Sequence, residues 1–160
     1  PEYGTDRMGR LKSKNGWVYE VAQWFPRVCV YDDLHGWNTM PYLGAGEFYL
    51  EYGDIDFSIT APSDLIVVGS GELINQKDCF TAEQMKRWEK AAASDQTVTI
   101  RGANEIGDRT SRPATANTTW RFKIQNTRDV AWAASKAFIL DAAKINLPSG
   151  KNGQGGNKTR

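Results

Sequence analysis

Apolar and polar side chains alternate in three separate runs of this chain, and a two-residue period can be satisfied only by extended backbone that buries one face. In residues 55–61, Ile55, Phe57, Ile59 and Ala61 alternate with Asp56, Ser58 and Thr60, and Pro62 is expected to stop the strand. Val98 and Ile100 alternate with Thr97, Thr99 and Arg101, while Trp120, Phe122 and Ile124 alternate with Thr119, Arg121, Lys123 and Gln125. Residues 64–73 add the apolar run LIVV followed by Gly69 and Gly71, the pattern of a buried strand leaving through a turn. The expected fold is therefore mainly β: a β-sandwich of mostly antiparallel strands.

One segment breaks the period. Thr81 and Gln84 are spaced as a capping box, and Met85, Trp88 and Ala92 follow at helical spacing, which predicts one short inserted helix over about 82–93. Residues 102–118 are polar with Gly and Pro and read as a loop. Residues 129–135 are ambiguous on their own. Alanine favours helix, whereas Val130, Trp132 and Ala134 could line one face of a strand, and propensity alone leans to helix.

At 160 residues the chain suits one domain with its own core, expected over residues 17–147. Residues 1–16 read as a flexible or partial N-terminal segment, and residues 148–160 as a Gly/Lys-rich linker or disordered tail with nothing to bury.

Residues 17–57 concentrate eleven of the eighteen aromatic side chains beside seven carboxylates and a single cation, Arg27. Buried carboxylates need partners, so part of this block must face a ligand, solvent or another domain. Ring faces and carboxylate oxygens suit sugars, cations and amine termini. Phosphate backbones are disfavoured, and the near balance of 20 basic against 19 acidic residues gives no support to nucleic-acid binding. No apolar stretch approaches the roughly eighteen residues of a membrane span.

Much chemistry is excluded by residue count. His35 is the only histidine, so a multi-histidine metal site cannot be assembled, and no nucleophile-elbow sequence surrounds it. His35 reads as a surface or turn residue. Gly44/Gly46 and Gly69/Gly71 lack the lysine of a P-loop and the third glycine of a dinucleotide fingerprint, and read as turns. Cys29 and Cys79 match no metal spacing and read as two buried free thiols; the sequence does not decide whether they pair. The remaining candidates are Glu20, Asp32, Asp33, Glu47, Glu51, Asp54 and Asp56. The last two share one strand face, which a solvated surface explains.

Three quoted segments carry a resemblance. YEVAQWFPRVCVYDD (residues 19–33), YGDIDFSITAPSDLIVVGSGEL (residues 52–73) and TWRFKIQNTRDVAWAASKAF (residues 119–138) together resemble the N-terminal β domain of the alanyl aminopeptidase family, the gluzincin zinc exopeptidases. The resemblance implies a saddle-like assembly of β-sheets packed on a thermolysin-like catalytic domain. It also implies that residues 130–135 form a strand, against propensity. The family's G-x-M-E-N motif, its H-E-x-x-H zinc motif and the following glutamate ligand lie downstream of this domain, and none occurs in this sequence. The implied zinc therefore belongs to the parent enzyme's catalytic domain, with no cofactor and no catalytic residue in this chain. The chain is expected to begin part-way through the domain.

One residue role follows from the resemblance. Family members use a Glu or Gln of this domain to hold the free α-amine of a peptide substrate. Counting back from Asp32 without gaps gives Glu20, and a shifted register gives Gln23. The competing expectation is a stand-alone β-sandwich carbohydrate-binding module with Trp24, Trp37 and Tyr42 as stacking platforms. Neither expectation fixes a compartment; a periplasmic or secreted location is open to both.

Overall fold

The computed structural model of the chain describes residues 8–23, 25–41, 44–45 and 48–145, and the backbone of residues 158–159. The alternating runs are strands, as their period requires. Residues 55–61 lie within β5 (Gly53–Pro62), where Asp54, Asp56, Ser58 and Thr60 are exposed and Ile55, Phe57, Ile59 and Ala61 turn inward. Pro62 is its last residue, in keeping with a side chain that cannot donate to a ladder.

Two antiparallel sheets face one another. In chain order their strands and neighbours are β1 (Met8–Ser13), β2 (Gly16–Ala22), the two-residue strands β3 (Tyr31–Asp32) and β4 (Gly36–Trp37), then β5, β6 (Ile66–Gly69) and β7 (Glu72–Leu73). After the helices come β8 (Val98–Arg101), β9 (Asn117–Thr127), β10 (Ala131–Ser135), β11 (Leu140–Ala142), β12 (Lys144–Ile145) and β13 (Lys158–Thr159). One sheet runs β1-β2-β10-β6 and the other β5-β9-β7. Cross-strand register puts Tyr19, Ala134 and Val67 on one face of the first sheet, together with Val21, Trp132 and Gly69. That face meets Phe57, Ile59, Trp120, Phe122 and Leu73 of the second sheet in a single hydrophobic cluster. Phe57 and Phe122 stack at 5.1 Å, and a Cβ on Gly69 would lie only 3.2 Å from Phe57 and 3.3 Å from Phe122, so the sheets touch there without room for a side chain. The architecture is mainly β and sandwich-like, with one main helix.

That helix is α2 (Ala82–Ala93), preceded by the single turn α1 (Gln76–Cys79). The capping box forms as the sequence predicts: the Gln84 amide N–H donates to Thr81 Oγ1 at 3.3 Å, and the Thr81 N–H donates to Gln84 Oε1 at 3.1 Å. Trp88 stacks on Phe80 at 5.4 Å, and Phe80 meets the buried Trp120 edge-on at 5.4 Å, which ties the helix to the second sheet. Residues 102–118 carry two one-turn 3-10 helices, Ala103–Glu105 and Arg109–Ser111.

The Ala-rich segment is a strand. β10 pairs with β2 on one side and β6 on the other, and an interior strand packed on both edges and one face overrides the helical preference of alanine. Two other expectations differ from the structure. Residues 8–13, expected as part of a flexible end, form β1 along residues 16–21 of β2, because the Lys14-Asn15 turn returns the chain onto its neighbour. Cys29 is exposed, whereas Cys79 is buried as expected; both are free. Residues 1–7 and most of 148–160 lie outside the described residues. Among the described residues no helix is long and apolar enough to cross a membrane.

Candidate functional site

Strand β2 is interior to its sheet, so its backbone is flanked by β1 up to Val21 and by β10 up to Ala22. The next residue, Gln23, keeps one more bond by donating its N–H to the carbonyl of Val130 at 3.1 Å. It then turns into the left-handed region at φ 59°. A non-glycine residue there costs roughly 1–2 kcal/mol and persists only where its surroundings hold it. Arg27 supplies the holding group, its Nη2 donating to the Gln23 carbonyl at 2.9 Å. The guanidinium lies over the Phe48 ring at 4.1 Å and near the Phe25 ring at 5.1 Å.

The same corner contains two solvent-shielded polar atoms. Among the described residues neither Gln23 Oε1 nor Arg27 Nη1 has a hydrogen-bond partner. An unmatched buried acceptor or donor costs on the order of 1–3 kcal/mol, so this corner is built with spare hydrogen-bonding capacity of both signs.

Glu20 is placed differently. It pairs across β2 with Gly9 and Ala133, and with Ala133 and Val68 it lies on the outer face of the sheet, opposite Tyr19, Ala134 and Val67. Its side chain is exposed.

The acidic aromatic segment continues from Arg27 into a small hairpin. Asp32 Oδ1 accepts the backbone N–H of His35 at 2.7 Å and of Leu34 at 3.0 Å, closing the turn between β3 and β4, with His35 Nδ1 3.5 Å away. The His35 backbone N–H is the largest influence on the Asp32 carboxyl and, with the Leu34 N–H and the imidazole, holds it below its ordinary value against the opposing effect of desolvation. Tyr31 and Trp37 meet edge to face at 5.1 Å, and Trp37 remains 60% exposed. Trp24 and Tyr42, the other two expected stacking residues, lie outside the described residues, as does Glu47.

The remaining carboxylates have structural or solvated surroundings. Asp54 Oδ1 accepts the N–H of Asn126 at 2.9 Å, at a second left-handed residue with φ 50°. Asp56 lies 3.6 Å from Lys123 on an exposed strand face. Among the described residues no group of three or more His, Cys, Asp or Glu side chains is arranged to hold a metal ion. Cys79 is inert by a different route: burial, reinforced by Asp78, pushes its thiol up to about 12.

Of the expected site residues that are described, Gln23 is the one with a left-handed backbone and an unmatched side-chain oxygen. Sequence reasoning missed its partner Arg27, although the signal was present: one cation stood among seven carboxylates, and among the described residues it bonds a carbonyl rather than a carboxylate. No protein family, curated protein or solved structure matches this chain.

Proposed function

We propose that this chain is the non-catalytic N-terminal β domain of a zinc-dependent aminopeptidase, forming one wall of the substrate cleft and packing on a thermolysin-like catalytic domain. The observation that carries this reading is Gln23: an amide oxygen with no partner among the described residues, on a residue whose backbone is pinned at both N–H and carbonyl. The α-ammonium group of a peptide is a strong donor, and a charge-assisted bond to such an acceptor contributes about 1.5–3 kcal/mol. Gln23 therefore takes the amine-binding role in preference to Glu20, which sits on the open outer face of its sheet. The three quoted segments in their order, and the strand at Ala131–Ser135 that the resemblance required against propensity, support the same reading. Zinc, held by the catalytic domain, would activate the water that attacks the first peptide bond.

The test starts with the reading frame that encodes the chain. Continuation past Arg160 into G-x-M-E-N and H-E-x-x-H is expected. With the catalytic domain joined, Gln23→Ala should raise KM for aminoacyl anilides about tenfold with kcat little changed, the loss of roughly 1.4 kcal/mol of amine binding. The same rise in Glu20→Ala and none in Gln23→Ala would transfer the role to Glu20. Hydrolysis by the isolated chain, free of contaminating peptidase, would sink the proposal.

The exposed Trp37 favours a second reading, a carbohydrate-binding module. The Tyr31 and Trp37 rings lie at 68° to one another and do not form a flat platform, which weakens it. An oligosaccharide panel that quenches tryptophan fluorescence in the wild type but not in Trp37→Ala would restore it.

A further inference from the structure

We infer that Arg27 is a positioning residue whose task is to lock Gln23 in its left-handed conformation and so fix the direction in which its side chain leaves the end of β2. This rests on the amine-binding reading of Gln23 and adds the device that makes it work.

Three observations converge on it. First, Gln23 is one of two non-glycine residues with positive φ among the described residues, and it sits where an interior strand ends, so its conformation must be imposed. Second, the two backbone groups of Gln23 are both engaged: its N–H by the Val130 carbonyl and its carbonyl by Arg27 Nη2, which fixes the direction of its Cα–Cβ bond. Third, Arg27 forms no ion pair among the described residues despite the acidic segment around it, and is flanked instead by Phe25 and Phe48. Aromatic flanks exclude water from the guanidinium and strengthen its bond to the carbonyl. A planar fork is required for this, because it stacks on a ring and donates along its edge at the same time. Lysine keeps the charge but can do only one of the two.

The logic predicts coupling rather than independent effects. Glycine adopts positive φ without strain, so the clamp is dispensable in a Gln23→Gly background. Urea unfolding of the 160-residue chain should show a fall in midpoint for Arg27→Lys that shrinks by at least half when Gln23→Gly is also present. Additive changes would overturn the inference. In the enzyme joined to its catalytic domain, Arg27→Lys should raise KM for an aminoacyl anilide about tenfold at unchanged kcat, with no further rise in the Gln23→Ala/Arg27→Lys pair. A fall in kcat with KM unchanged, or multiplying KM effects, would show that Arg27 does not act through Gln23. Should Gln23→Ala leave KM untouched while the unfolding cycle remains coupled, the clamp stands and the amine-binding reading of Gln23 is what fails.

Discussion

Individual residues of this chain differ most in how far water reaches them, and the two cysteines and one half-shielded carboxylate make the point testable. Cys79 is 1% exposed with its thiol pushed up to about 12 by burial and by Asp78, whereas Cys29 is exposed. Because the thiolate is the reacting form, a disulfide reagent at about pH 8 should modify one thiol per native chain and a second only after unfolding. Two fast equivalents in the native chain would contradict the packing around α1. Glu105 gives the corresponding acid-side prediction. Burial alone would raise its carboxyl, but the Gly102 N–H at 2.8 Å, Arg87 Nη1 at 2.6 Å and Gln84 together outweigh it and hold it below its ordinary value of 4.5. A depressed folded pKa contributes stability above the unfolded value and loses it as pH falls through the folded one. The unfolding midpoint should therefore fall as pH drops below 4.5, and Glu105→Gln should be less stable at neutral pH with a shallower acid dependence. Equal acid slopes in wild type and variant would refute this.

At the scale of elements, helix α2 was legible because its start is written locally: a capping box needs only residues three apart, and Thr81→Ala should cost about 1 kcal/mol by urea unfolding. Gln84→Ala should cost more, about 2 kcal/mol, because Gln84 is fully buried and also donates to the Ser111 carbonyl at 2.9 Å, leaving that acceptor unmatched. β5 and β9 were legible for the same reason, one face of each being core. β10 was not legible from propensity, since what makes Ala131–Ser135 a strand is its two neighbours β2 and β6, more than 60 residues away on one side and more than 100 on the other. β1 escaped notice because its residues carry basic side chains and only its pairing with β2 orders them. The site was half legible. The quoted segments narrowed the proposed amine-binding role to Glu20 or Gln23, but a left-handed backbone in a glutamine leaves no mark in sequence, and neither does the carbonyl that Arg27 chooses.

At the scale of the whole molecule, beside the core of two facing sheets lies a segment, residues 28–52, whose described residues form a two-strand hairpin and present large apolar side chains to solvent. Val28 is 82% exposed and Leu34 83%, with Tyr31, Trp37, Met40, Tyr49 and Tyr52 exposed as well. The segment lies in the acidic block, so two forces compete to decide what it does in solution. If charge dominates, the acidic block meets the basic remainder of another copy; if apolar area dominates, like segments cover one another. The magnitudes favour the second. Exposed ion pairs contribute at most about 1 kcal/mol each, whereas covering apolar surface contributes roughly 25 cal/mol per Å² and needs no partner of opposite sign. The isolated chain should therefore associate with increasing concentration in sedimentation velocity, and the association should survive a rise from about 0.1 to about 1 M salt, over which the screening length falls from about 10 to about 3 Å. Replacing Leu34 and Trp37 by serine should return the chain to monomer. The urea midpoint should move little, since Leu34 projects from a turn and Trp37 meets only the Tyr31 ring, edge to face, among the described aromatic residues. Dissociation by salt alone would assign the contact to charge and leave the apolar segment without an occupant in the isolated chain.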